Sequence, residues 1–341
     1  MSPLLLALDF GGTKHAAAVI APGETQWRSH QRAVSPPQAD AKSDLEVMRS
    51  LIRNLLNDTQ PAAIGVSFGG PVDASSGMVR LSHHVPGWEN LPLRQMLEAE
   101  FAAPVSVDND ANVAALGEHH FGAGQGYDSL LYITVSTGVG GGWILNRQLW
   151  RGAEGMAGEI GHMVIDPNGP VCLCGKRGCL ERLASGPYIA QQVREQLQLQ
   201  PHRGQILRAQ VGGNLTTITA QQVSQAAAQG DDLAWEGLKK AGWALGVGIG
   251  NVANLINPQR FILGGGVMKI GENLPDMLRE HLPGTLRDRF WEVVLQVARA
   301  TALPEVHFEI VPAALGDDAP LWGAAALATL LHGSPATPSE G

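Results

Sequence analysis

Apolar residues in this chain come in short runs, and several of those runs stop at a glycine. LLLALDF (4–10) ends at Gly11-Gly12 and HAAAVI (15–20) follows, which predicts two strands joined by a glycine turn. SDLEVMRSLIRNLL (43–56) has helical spacing, with Ser43 or Asp44 as its cap. AAIGVSF (62–68) reads as a strand entering a Gly-Gly-Pro turn, LPLRQMLEAEF (91–101) as a helix, PVSVDN (104–109) as a strand and DANVAALGEHHF (110–121) as a helix. The glycine-rich FGAGQGYD (121–128) marks a domain boundary. LLYITVSTGVGGGWIL (130–145) then repeats the opening theme of strand, polar glycine turn and strand, which suggests an internal duplication without establishing it. Helical patterns occupy 188–198 and 231–255, with 200–218 unassigned between them. RFILGGGVMKIG (260–271) is a strand running into three glycines, and APLWGAAALATLL (319–331) is a closing helix before the polar HGSPATPSEG. Strands alternating with helices predict an α/β protein.

Composition narrows the partners. Of 341 residues, 44% are hydrophobic and 16% charged, enough apolar material for two ordinary domains. The net charge of -8, with no Lys/Arg stripe, argues against a nucleic-acid partner. The opening lacks a signal peptide's basic start and cleavage site, and no run approaches the ~18 apolar residues of a membrane span. The expectation is a cytoplasmic protein with reduced thiols and no membrane partner, in which the sequons at Asn57 and Asn214 carry nothing.

All three cysteines fall in CLCGKRGC, as Cys172, Cys174 and Cys179. An odd number within eight residues does not make a disulfide set. His162, ten residues before Cys172, would complete a closed tetrahedral zinc site of structural type. The alternative is three buried free cysteines, which the polar, turn-rich flanks disfavour.

No stretch fits a P-loop, and GVGGGW (138–143) continues as a strand where a dinucleotide fingerprint would open a helix. The turns DFGGTK (9–14), with Gly11 and Gly12, and STGVGG (136–141), joined by the triplet Gly264-Gly265-Gly266, instead suggest backbone nests for nucleotide phosphates. Asp9 could hold Mg²⁺ through water or merely start a turn; Lys14 could face phosphate or solvent. Asp108, Asn109, Asp110 and Asn112 crowd one strand-to-helix step, where one serves as cap and an Asp can accept a hydroxyl proton. Should Asp110 not be that base, His83, His84, His119 and His120 are the alternatives. A metal joining His162 to the cysteine loop would bring Glu181 beside Glu159.

LALDFGGTK, GVSFGGPVD, VDNDANVAALGE, STGVGGG, GEIGH, CLCGKRGCLE and FILGGGV together resemble the ROK family of repressors and sugar kinases, within the actin-like ATPase and hexokinase superfamily, over almost the whole chain. The resemblance implies a ribonuclease H-like fold of two α/β domains with an inter-domain cleft. It also implies ATP between the glycine turns, a zinc-braced sugar pocket and a homo-oligomer, dimer or tetramer. The expected domains are 1–120, joined by a C-terminal helix at about 318–332, and 121–317, with the zinc loop at 159–181. By the same resemblance Asp110 is the general base, and Asn109, Glu159, His162 and Glu181 hold sugar hydroxyls with Gly70 at the wall. Thr13, Thr137 and Gly138 lie at the phosphates and Gly265 near the adenosine. Trp88 and Asn90, in VPGWENLPL, border the sugar. The implied activity is ATP- and Mg²⁺-dependent phosphorylation of a hexose at O6, glucose first, with an N-acylhexosamine as the alternative. A repressor of the family carries a helix-turn-helix before the first phosphate turn, and the eight residues preceding Asp9 favour the kinase.

Overall fold

In the computed structural model, which describes residues 3–57, 59–82, 85–271 and 285–333, the first strands form where the apolar runs are unbroken. β1 (Leu5–Phe10), β4 (Ala63–Phe68) and β7 (Val105–Asn109) are parallel and almost wholly buried, because a parallel core is covered on both faces. β2 (Lys14–Ile20) returns antiparallel along β1, and β3 (Ser29–Val34) forms the edge. The sheet order is β3-β2-β1-β4-β7. β3 has no apolar run to mark it: SHQRAV is largely exposed and polar, a composition that protects an edge from further pairing. The short β5 (Val72–Asp73) and β6 (Met78–Val79) form a separate ribbon.

A second five-stranded sheet contains β8 (Leu130–Val135), β9 (Val139–Leu145), β10 (Gln148–Trp150), β11 (Arg260–Gly264) and β12 (Glu309–Pro312), in the order β10-β9-β8-β11-β12. Three successive strands fill one side of each sheet, and two later strands fill the other, so the strand order repeats.

Some of the helices start at a side-chain cap and others do not. α1 (Ala41–Leu56) begins earlier than expected, because Asp40 accepts from the Ser43 N–H at 2.8 Å. Asp44, expected as a cap, is instead buried on the inner face. α2 (Leu93–Phe101) and α3 (Asp110–Phe121) follow the predicted pattern. α4 (Leu180–Ala184), α5 (Gly186–Leu199), α6 (Gln205–Gln210), α7 (Ala220–Ala228) and α8 (Asp232–Ile256) come next. α9 (Leu286–Thr301), closed by a Thr285/Asp288 capping box, packs on α8. α10 (Ala319–Gly333) lies on α3, β1 and β4. A Cβ on Gly323 would stand 1.7 Å from the Val113 carbonyl oxygen, and one on Gly65 1.8 Å from that of Ala324, so only glycine admits this approach.

The chain forms two compact units, the first from residues 1–132, 142–157 and 313–341 and the second from 133–141 and 158–312. This division differs from one at residues 120 and 317. Residues 142–157 join the first unit because Gly142 lies against Ala111 of α3 and Arg151 reaches Asp108. The C-terminal return begins at Ala313, since the buried Glu118 carboxylate accepts from the N–H groups of Ala314 (3.2 Å) and Leu315 (2.9 Å). His83, His84 and the tail from residue 334 lie outside the described residues.

Candidate active site

In the first unit, the carboxyl ends of three parallel strands bring the chemistry together, the usual location of sites in such sheets. The register pairs Asp9 with Ser67 and Ser67 with Asp108, then Phe10 with Phe68 and Phe68 with Asn109. Gly11, Gly12 and Thr13 continue from β1 into the first turn, closed by the Gly11 N–H on the Lys14 carbonyl at 3.1 Å. Gly12, Thr13 and Lys14 are exposed. Asp9 keeps some solvent exposure, yet burial of its carboxyl pushes it up to about 7 from 3.8. Asp110 and Asp318 push the same way, while the Ser67 hydroxyl and Arg32 pull it down. A carboxyl held so high is poised to ionise when a cation arrives.

Asn109 caps α3, its Oδ1 accepting from the Ala111 N–H at 3.0 Å, and its amide donates to the Gly70 carbonyl at 3.0 Å. That bond joins Gly70, the expected pocket wall, to the strand-to-helix step. Asp110 is the first residue of α3, where the partial positive charge of the helix end favours a carboxylate.

Behind the first turn is a buried polar knot. His15 Nε2 lies 2.8 Å from Asp44 Oδ1 and 2.9 Å from Ser35 Oγ, and the Trp88 indole donates to Asp44 Oδ2 at 3.4 Å. Ser35 N–H donates to the Thr13 carbonyl at 3.0 Å, which ties the knot to the turn. The expectation that Trp88 borders a sugar therefore fails: it is 1% exposed and packs edge-on against Phe10 and Phe68 in the core. Its apolar rings fill the space under the turn. Asn90 is exposed, in a left-handed turn at φ 55°.

In the second unit, His162, Cys172, Cys174 and Cys179 offer ligand atoms that all lie within 4.8 Å of one another. Cys174 Sγ is 3.6 Å from Cys179 Sγ, and Cys172 Sγ is 4.0 Å from His162 Nδ1. A tetrahedron with Zn–S bonds of about 2.3 Å has edges of about 3.8 Å, so the four side chains fit a closed zinc site. Burial pushes the Cys179 thiol up to about 12, a cost that a bound cation would remove. Bridges Val164–Cys179 and Val171–Arg177 fold the loop, and the Leu180 N–H donates to the Met163 carbonyl at 2.9 Å. The 162–164 and 179–181 segments therefore run side by side.

Glu159 is exposed ahead of the short 3₁₀ turn Ile160–His162. Glu181 lies in the first turn of α4, and its Oε2 accepts from the Val139 N–H at 3.0 Å. A Cβ on Gly138 would meet that oxygen at 2.7 Å, so the second glycine turn needs glycine there to admit the carboxylate. Thr137 is exposed at the tip of the turn. Gly265 backs onto Val135, and the Gly186 N–H at the start of α5 donates to the Ser136 carbonyl at 2.8 Å. Gly264, Gly265 and the 136–138 turn thus form one neighbourhood.

His119 and His120 do not serve this site. They lie at the other end of α3, nine residues or more from Asp110, or about 14 Å along the helix. Burial lowers both, and their rings bond to the Tyr127 and Leu116 carbonyls. Sequence reasoning missed Arg151, whose Nε donates to the buried Asp108 Oδ2 at 2.5 Å, and Arg32 and Asp318, an ion pair near Asp9. Nothing in LWRG marks Arg151 as a neighbour of Asp108, and nothing in the polar β3 marks Arg32 as a neighbour of Asp9.

Among the described residues, no helix is long and apolar enough to cross a membrane. The glucokinase of Streptomyces coelicolor is 32% identical over 95% of this chain and 97% of its own length. A solved ROK family glucokinase from Streptomyces griseus, in complex with glucose and AMPPNP, is 32% identical at a TM-score of 0.74, covering 96% of this chain and 99% of that one. The xylose repressor of Bacillus subtilis is 30% identical over 76% of this chain and 59% of its own. The fold is that of the two-domain actin-like ATPases and hexokinases. With the ROK family model matching residues 5–330, the chain belongs to the ROK family.

Proposed function

We propose that this chain is an ATP-dependent hexose kinase that phosphorylates glucose at O6. The observation that supports it most is Asp110 at the start of α3, beside Asp9 and one residue after an Asn109 already bonded to Gly70. The likeness to a glucokinase that binds glucose and AMPPNP supports the same reading.

In this reading the sugar O6 attacks the γ-phosphorus in line, its proton passes to Asp110, and the bond to the β-phosphate oxygen breaks to release ADP. Asn109, Glu159, His162 and Glu181, with Gly70, orient the hydroxyls. Backbone N–H groups at Gly12, Thr13, Thr137 and Gly138 would face the phosphates with Lys14, on a first turn that Gly11 closes, and Gly264 and Gly265 would flank the adenosine. Asp9 would hold Mg²⁺ through water, where the ion would neutralise β- and γ-phosphate charge. His162, Cys172, Cys174 and Cys179 would hold zinc, which braces the loop that presents Glu181. A homo-oligomer, dimer or tetramer, belongs to the same reading and is checked by sedimentation.

ADP release measured across glucose, mannose, N-acetylmannosamine and N-acetylglucosamine tests it. Glucose is expected to lead, with the acetamido sugars poorer by about tenfold or more in kcat/KM. An N-acetyl sugar in first place would keep the kinase and replace its substrate. The repressor likeness favours a second reading, a sugar-responsive regulator. That reading requires sequence-specific DNA binding that survives physiological salt.

A further inference from the structure

We propose that Asp108 and Arg151 act as one positioning unit for Asp110, an inference that rests on the kinase reading above. Asp108 is 1% exposed, and both of its carboxylate oxygens are engaged. Oδ1 accepts from the backbone N–H of Asn109 at 2.8 Å and from the side-chain amide of Asn112 at 3.0 Å. Oδ2 accepts from Arg151 Nε at 2.5 Å. A buried carboxylate with three donors is a fixed point, because losing any donor leaves charge uncompensated.

What it fixes is the backbone under Asp110. Asn109 and Asn112 stand on either side of that residue, one at the end of β7 and one in the first turn of α3. Gripping both sets the step from strand to helix, and with it the direction of the Asp110 side chain. The third donor arrives from elsewhere in the same unit. Arg151 follows β10 and opens a loop that the Ala157 N–H closes on the Arg151 carbonyl at 2.9 Å. Its side chain is 36% exposed, so it does little as packing.

Pairs of this kind add little net stability, since burying the charges offsets most of their attraction. Their geometric effect is larger: a misplacement of about 1 Å at a reacting group can cost about a hundredfold in rate. The pair should therefore be felt in kcat rather than in substrate affinity.

The test compares Arg151→Met, Arg151→Lys, Asp108→Asn and the double variant Asp108→Asn/Arg151→Met by kcat, by KM for glucose and ATP, and by thermal midpoint. Arg151→Met is expected to lower kcat by about 10–100-fold with both KM values within about threefold. Arg151→Lys should recover most of that loss, because a charged donor still reaches Oδ2. The double variant should be no slower than the worse single one, as residues acting through one unit are non-additive. A folded Arg151→Met variant with nearly unchanged kcat overturns the proposal, even if its midpoint falls, because that is a structural role alone. A rise in the glucose KM at constant kcat also overturns it, making Arg151 a sugar ligand. Should Asp108→Asn fail to fold, the two Arg151 variants decide. Wild-type protein that phosphorylates no sugar overturns the kinase reading and this proposal together; active wild type with unaffected variants overturns this proposal alone.

Discussion

Replacing Asp9 with Asn isolates the electrostatic cost built into the start of the first glycine turn. Burial is the largest cause of the rise of the Asp9 carboxyl from 3.8 to about 7, with Asp110 adding to it. Below about pH 4, folded and unfolded chains both keep the proton, and the group costs nothing. As pH rises from about 4 to 7, the unfolded chain ionises while the folded chain does not. Wild-type stability then falls by up to ~1.4 kcal/mol per pH unit on this account. Above about 7 both states are ionised and the penalty is constant. The full displacement amounts to roughly 4 kcal/mol, a ceiling because Asp9 keeps some solvent exposure. Asn carries no such penalty. Urea unfolding from about pH 4 to 8 should therefore show the variant and wild type converging at the acidic end. The variant should lead by about 2–4 kcal/mol at the alkaline end. Saturating Mg²⁺ and ATP should narrow that lead, because a cation favours ionised Asp9. A stability difference that stays flat across the range would refute the reasoning.

Purified protein never exposed to chelators should carry about one zinc per chain by elemental analysis. Stripping the metal should abolish sugar binding, read by tryptophan fluorescence, while most of the far-ultraviolet dichroism remains. Asp110→Asn should keep glucose affinity and lose about 10²–10⁴-fold in kcat, and a rate near wild type would reassign the base. Gly323→Ala should destabilise the chain by about 3 kcal/mol or more in urea unfolding, because its Cβ would meet a backbone carbonyl that no rotamer can clear. A neutral result there would mean that α10 is free to shift off α3.

Legibility in the sequence followed the range of each interaction. β1, β4, β7, α3 and α8 could be read from their runs and spacing, because burial and periodicity are local signals. The clustering of His162, Cys172, Cys174 and Cys179 was equally readable, since all four residues lie within eighteen positions. β3 and β12 were not, as edge strands half-exposed to solvent lack an apolar run. α9 is amphipathic, with its apolar face turned to α8, yet its charged residues hide that face in the sequence. Trp88 shows the opposite error: an aromatic beside a glycine turn resembles a pocket wall, and only its neighbours Phe10 and Phe68 reveal it as core. Arg151 and Glu118 lay beyond reach because each owes its meaning to a partner far along the chain. A buried Glu118 looks in sequence like any polar residue on a helix.

The last helix sits on the first sheet, and this sets a timetable for synthesis. β7 ends at Asn109, whereas α10 ends at Gly333. At roughly 5–20 residues per second, a ribosome needs roughly ten to forty-five seconds to make what lies between. Throughout that interval the face of β1 and β4 that α10 covers is bare, and Gly65 has no Ala324 above it. The second unit, complete by residue 312, can finish folding while the first still waits. The nascent chain therefore has an order of maturation opposite to its order of emergence. Holdase chaperones would find their binding surface on the part made first, and a ribosome stalled before residue 319 would release a chain with one finished unit and one sticky one.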